Sequence, residues 1–232
     1  MSVGSYTRGG SDTRGGSDTR GFALARKAMV ESQLRPSGVD DPRVIAAMAV
    51  VPRERFVPAS RMGSAYSDRP VPLGRAREMN APVITGRLLT ELHLQPSDRA
   101  LLIGAAMGYA AALLTHLLVD LVAVEEDETL LAAARNALEG TGVVMVHGAL
   151  AAGHAGRAPY DVIVIDGAVD HIPDALVEQL GDGGRLAAGL IEGGVARLVL
   201  GRRAGTGFGF NAFQDAEPVH LPGFSKPKAF VF

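Results

Sequence analysis

Two glycines four residues apart, Gly104 and Gly108, follow the apolar run ALLI and precede YAAALL, and Glu125 closes the next apolar run, LVAVE. A glycine-bearing turn between a strand and a helix lets a ligand approach the backbone, and the start of the helix offers N–H groups. An acidic side chain at the end of the following strand can accept hydrogen bonds from ribose hydroxyls. The spacing therefore suits a nucleoside. As a dinucleotide fingerprint it is incomplete, because GAAMG has no middle glycine and Met107 crowds the place of closest pyrophosphate approach. Without a ligand, the same residues read as a tight strand-to-helix turn, with Glu125 as a solvated strand end.

A second group lies upstream in LGRAREMNAP. A substrate anion could pair there with Arg77. For neighbours such as Arg77 and Glu78, a solvated surface pair is the commoner arrangement. A third group, Asp166, Asp170 and His171 in VIVIDGAVDHIP, follows an apolar run and would suit acid/base or metal chemistry. A well-spaced third ligand is not evident, and none of the six histidines falls in a His-x-His or His-Glu-x-x-His pattern, so no metal site is expected. There is no Gly-x-Ser-x-Gly nucleophile elbow. The absence of cysteine excludes thiolate chemistry and disulfides.

The elements that position these groups follow from periodicity. FALARKAMVESQL, Phe22 to Leu34, has helical spacing, and Asp41 followed by Pro42 reads as an N-cap and first helical residue. VPRERFVPASRMGSAYSDRPVPLGRAREMNAP is expected to be irregular apart from a helical turn around Pro58 to Met62. Pro82 opens the helix PVITGRLLTELHL. From Arg99 onward, short apolar runs alternate with helical segments: RALLIG, DLVAVEE, GVVMVHG, YDVIVIDGA and GGRLAAGL as strands, and GYAAALLTHLL, DETLLAAARNAL and IPDALVEQL as helices. Strands apolar on both faces and separated by helices indicate a parallel sheet covered on both sides. ARLVLGRRAGTGFGFNAFQDAEPV reads as an antiparallel hairpin turning at RAGTG. Ala100 to Val119 carries no formal charge over twenty residues, enough for a bilayer, but Gly104, Gly108, Tyr109, Thr115 and His116 interrupt it, which favours a strand and a helix.

The expected fold is α/β, a doubly wound, Rossmann-like sheet with an N-terminal helical segment and a C-terminal antiparallel hairpin. Its parts are a flexible tail over residues 1–21, where TRGGSD repeats, N-terminal helices and a substrate loop over 22–98, and the core over 99–232. The terminal KAFVF is expected to be a last strand. With 47% apolar residues, 21% charged residues and a net charge of -2 without a basic run, neither nucleic acid nor anionic lipid is favoured as a partner. No secretory signal is expected in the glycine-rich N-terminus, and the lack of cysteine fits a reducing, cytoplasmic setting.

Taken in order, MVESQL, DDPRVIAAMAVVPRERFVP, AYSDRPVPLG, LLIGAAMGYAAALL, VEED and APYDVIVIDGAVDHIPDALVEQLGDGGRL resemble the protein-L-isoaspartate O-methyltransferase family, from about Phe22 to about Leu190. The resemblance implies a class I methyltransferase fold with S-adenosylmethionine as cofactor. Gly104, Ala105, Ala106, Gly108 and Tyr109, with Glu125, Glu126, Gly148 and Ala149, would hold that cofactor. It also implies protein repair as the activity and an isoaspartyl-type carboxylate on a protein or peptide as the acceptor, with the Tyr66 to Pro82 loop closing over it. Asn80 would orient the carboxylate and Arg77 would clamp it. Three positions depart from the family pattern: Asn80 replaces a serine, Leu102 an acidic residue before the glycine turn, and Ala149 the aspartate of a Gly-Asp-Gly turn. Methyl transfer to a carboxylate needs no general base, because a nucleophile of pKa ~3.9 is ionised at neutral pH, and orientation is the main task. Two rival readings are a methyltransferase with a different acceptor and a cofactor-binding or interaction protein that has lost catalysis.

Overall fold

The structure, a computed structural model, describes residues 14–225, so KAFVF and residues 1–13 of the repeat segment lie outside the described residues. Helix α1 (Arg14–Met29) begins inside the segment expected to be a tail. A π-helical turn, Val30–Leu34, and a short 3-10 turn, Arg35–Ser37, continue it. Helix α2 (Pro42–Val50) starts as its sequence suggests: Pro42 occupies the first turn and the Asp41 carboxylate accepts the Arg43 N–H at 2.8 Å.

Two 3-10 turns, Arg53–Phe56 and Ala59–Ser64, lead into a hairpin of strands β1 (Val71–Gly74) and β2 (Arg77–Met79). This hairpin corrects the expectation of an irregular loop. Its tip residues, Arg75 and Ala76, adopt φ of 54° and 55°, a conformation for which glycine or asparagine is the usual signal, and neither residue gives that signal. Helix α3 (Pro82–Glu91) then leads to the sheet.

Strands β3 (Arg99–Ile103), β4 (Asp120–Glu125), β5 (Val144–His147), β6 (Tyr160–Val169) and β7 (Leu180–Glu192) are parallel. Strands β8 (Val195–Ala204) and β9 (Gly207–Asp215) add antiparallel, giving the order β5-β4-β3-β6-β7-β8-β9. Helices α4 (Tyr109–Leu114), α5 (Glu128–Ala137) and α6 (Asp174–Val177) connect them; α4 and α6 are shorter than their apolar patterns suggest. Alternate residues of β3 serve two cores: Ala100 and Leu102 pack with Met48, Leu88 and Leu113, while Leu101 and Ile103 pack with Leu176, Leu221 and Phe224. The uncharged stretch from Ala100 to Val119 is thus a buried strand and a buried helix, and no helix of the described residues is long and apolar enough to cross a membrane.

The chain leaves β3 toward β4 on one side and later returns to β6 on the other. Such a reversal opens a crevice at the carboxyl ends of the two strands, the place where open α/β sheets bind ligands. Gly104 and Asp166 sit at this crevice.

The Asp41 cap gives a first prediction. Burial opposes ionisation of Asp41, but the Arg43 side-chain and backbone bonds outweigh it and hold the carboxyl below its ordinary 3.8. The stabilisation is therefore present above that value and lost as pH falls through the lower folded one. Asp41→Ala is expected to cost about 1 kcal/mol at neutral pH, a Tm drop of roughly 2–4 °C. The deficit in differential scanning calorimetry should shrink under acid conditions; an equal deficit there would show that the cap does not act through its charge.

Candidate active site

Glu125, the last residue of β4, is fully buried, not a solvated strand end. Its Oε2 accepts the Ala106 N–H at 2.7 Å, and its Oε1 accepts the N–H groups of Glu126 and Asp127 at 3.0 and 3.1 Å. The Arg77 guanidinium completes the set in a fork: Nη1 donates to Oε1 at 2.6 Å and Nη2 to Oε2 at 3.0 Å. Five N–H donors thus converge on a carboxylate that offers about four lone-pair positions. Arg77 is only 4% exposed, whereas Glu78 points to solvent, so the expected surface pair between these neighbours does not form. Alternation along β2 separates them.

The glycine turn lies directly under this fork. A Cβ on Gly104 would come within 3.7 Å of Arg77 Nη2, and one on Gly108 would meet Leu138 and Ala134 at 3.0 and 3.3 Å. Both glycines have positive φ, as does Ala106 at 50°. Two N–H groups of the turn are taken within the chain: that of Ala106 by Glu125, and that of Gly108 by the Ala105 carbonyl at 2.8 Å. The crevice over Ala105, Ala106, Tyr109 and Asp166 keeps a cavity of only about 10 Å³. On the outer side of the hairpin, Arg75, Arg77, Glu126 and Asp127 line an open cleft of about 440 Å³. Arg75 Nε pairs with Asp127 there, and Asp127 also caps α5 through the Thr129 and Leu130 N–H groups.

Asn80 is 1% exposed and its amide is committed at both ends. Its Nδ2 donates to the Asp166 backbone oxygen at 3.0 Å and to Asp166 Oδ1 at 2.9 Å, while its Oδ1 accepts the Val219 N–H at 2.8 Å. Thr85 Oγ1 adds a donor to Asp166 Oδ1 at 3.1 Å. Desolvation pushes the Asp166 carboxyl above its ordinary value, against the pull of the Asn80 and Thr85 bonds and of the Arg53 and Arg77 charges.

Arg53 was not among the expected site residues. It is fully buried, donates from Nε to the Ala65 carbonyl at 2.6 Å and from Nη2 to the Asn80 carbonyl, and stacks on the Tyr109 ring at 4.6 Å. Its burial pulls the guanidinium below its usual range, and burial raises the Tyr109 phenol. An arginine set among prolines and other charges in VPRERFVP has no periodic pattern that would single it out as buried.

Of the other expected residues, Glu126 is partly exposed beside the outer cleft. Gly148 donates to the Glu125 carbonyl at 3.2 Å, and Ala149 is an exposed residue preceding a 3-10 turn. Leu102 is fully buried in the core. Asp170 and His171 do not join Asp166: they line a separate cavity of about 420 Å³ with Phe208, Phe210 and Glu192. Among the described residues, no group of three or more His, Cys, Asp or Glu side chains is arranged to hold a metal ion.

The family model described as protein-L-isoaspartate(D-aspartate) O-methyltransferase matches residues 25–207. A protein-L-isoaspartate O-methyltransferase of Methanoculleus marisnigri is 42% identical over 166 residues, 70% of this chain and 76% of that one. One of Methylorubrum extorquens is 42% identical over 185 residues, 78% and 81% of the two chains. In fold, the chain is similar to a Plasmodium falciparum structure assigned to the same enzyme class and in complex with S-adenosyl-L-homocysteine. The TM-score is 0.73 at 17% identity, covering 87% of this chain and 98% of that one.

The Asn80 network makes a prediction. Asn80→Ala would leave the Val219 N–H and an Asp166 oxygen without partners, and is expected to destabilise the fold by about 2–4 kcal/mol. Urea unfolding followed by circular dichroism measures this; a loss below about 0.5 kcal/mol, as at an ordinary surface site, would mean the amide is not structural.

Proposed function

Since the chain belongs to the protein-L-isoaspartate(D-aspartate) O-methyltransferase family, we propose that it transfers the methyl group of S-adenosylmethionine to an isoaspartyl-type carboxylate on a protein or peptide, as a repair enzyme of the cytoplasm. The observation that carries the reading is the family match across residues 25–207, which spans the Gly104–Gly108 turn, Glu125 and the hairpin above them. Residues 22–98 supply the acceptor side and 99–232 the cofactor side.

The donor set suits this cofactor. Glu125 ends its strand beside the glycine turn, and the paired donors it now takes from Arg77 have the planar two-point geometry that a ribose diol would also present. Glu125 would hold the ribose, Gly104 to Tyr109 would face the methionine end, and Glu126, Gly148 and Ala149 would border the adenosine. S-adenosylmethionine supplies an activated methyl group on a sulfonium. The chain orients the acceptor, excludes water and leaves the carboxylate ionised; no residue has to remove a proton.

One observation favours a second reading, transfer to an acceptor other than a carboxylate. Asp166 lines the crevice and takes both donors of the Asn80 amide, so an incoming carboxylate meets a second carboxyl group and no free amide.

The deciding experiment supplies S-adenosylmethionine with an isoaspartyl peptide and with its normal aspartyl isomer. Methyl ester is expected on the isoaspartyl peptide only. Cofactor binding without transfer to it would hand the function to the second reading, and absence of both would leave only a binding or interaction protein of this fold.

A further inference from the structure

We propose that Arg77 is a self-ligand of the nucleoside cradle: the β1–β2 hairpin closes the site by presenting to Glu125 the two donors a ribose diol would use, so that hairpin and cofactor compete for one carboxylate. The inference rests on the reading of Glu125 as the ribose acceptor.

Three observations carry it. Glu125 has no accepting capacity left, with the Arg77 fork, Ala106, Glu126 and Asp127 all upon it. There is also no room: the crevice keeps about 10 Å³, where a cofactor site usually needs roughly 300–1,000 Å³. The hairpin divides this remnant from the outer cleft of about 440 Å³, and Arg77 lines both, so moving this one strand pair would join them.

The closed arrangement also holds groups that opening would relieve. Arg77 Nε is buried without a partner, and Arg75 and Ala76 at the hairpin tip are both left-handed without being glycine. Two ion pairs hold the hairpin down: Arg77 with Glu125 in the interior, and Arg75 with Asp127 at the surface. The Arg75 bond and the α5 N–H groups keep Asp127 below the usual carboxylate range. A ligand that requires the open form has its apparent affinity lowered by the fraction of molecules that are open.

Calorimetric titration of the full chain with S-adenosylhomocysteine tests this without turnover. Arg77→Met removes the donors and keeps an apolar stem, and is expected to tighten binding roughly tenfold or more. Arg75→Ser leaves Arg77 and Glu125 intact and is expected to tighten it roughly threefold, the size of an exposed ion pair. Circular dichroism checks that each variant folds; if Arg77→Met does not, with Glu125 left unpaired, Arg75→Ser decides. Equal or weaker binding by the folded variants overturns the competition. Adding Glu125→Ala to Arg75→Ser separates the two readings. If that change abolishes binding while the arginine substitutions had no effect, the cofactor reading stands and the competition falls. If Glu125→Ala leaves binding intact, or no variant binds, both fall.

Discussion

Arg53 is the interaction on which the upper half of the molecule depends. A guanidinium with no exposure calls for acceptors, and Arg53 finds two in the backbone, at the carbonyls of Ala65 and Asn80, while its Nη1 has no partner. Its own N–H donates to the Tyr66 hydroxyl, which in turn bonds Glu54, while its plane lies on Tyr109. One side chain thus ties the Pro-rich segment, the residues just after the hairpin and the start of α4 into a single body. A segment with little regular structure becomes well defined because a buried cation collects its carbonyls, and an arginine suits that task because its donors are fixed in one plane.

From that anchor, two carboxylates at the carboxyl edge of the sheet receive opposite treatment. Glu125, on the β4 side of the glycine turn, is met by a cation and three backbone N–H groups, which is the surrounding a buried anion requires. Asp166, on the β6 side, receives only neutral donors from Asn80 and Thr85, with the charges of Arg53 and Arg77 further off. Desolvation therefore dominates at Asp166, and its carboxyl is pushed up. Two acids in one crevice thus differ in their surroundings: Glu125 is paired with a guanidinium, and Asp166 is pushed above its ordinary value by desolvation.

Much of this was legible in the sequence. The parallel strands could be read because apolar residues on both faces leave no alternative to a covered sheet, and Ala100 to Ile103 do feed two cores. Asp41 with Pro42 marked a helix start through local bonding alone. The strand, turn, helix and strand spacing brought the glycine turn and Glu125 together, and the Ala106 N–H does donate to Glu125. What could not be read depends on partners distant in sequence. Arg77 reaches across 48 positions to Glu125 and Asn80 reaches across 139 to Val219, and no local spacing encodes either. The hairpin escaped because its two tip residues, Arg75 and Ala76, are not turn formers, and Gly74 alone before them does not mark a turn of this kind. Helices α4 and α6 were expected to be longer because an apolar pattern fixes which face is buried but not where the backbone stops.

The register of the hairpin shows how electrostatics specifies backbone here. Val71 pairs with Met79 and Gly74 with Arg77, with a slip in register between Pro72 and Gly74. In this register Arg77 and Met79 face inward and Glu78 faces solvent. A shift by one residue would exchange the faces and bring Glu78 toward Glu125, placing two carboxylates together in a water-poor crevice. Apolar burial alone does not forbid such a shift, because a three-residue strand carries only one apolar residue. The buried carboxylate forbids it, since it tolerates a cation opposite and rejects an anion. Glu125 therefore selects the strand register above it, and the same charge accounts for both the order of the hairpin and its hold over the glycine turn.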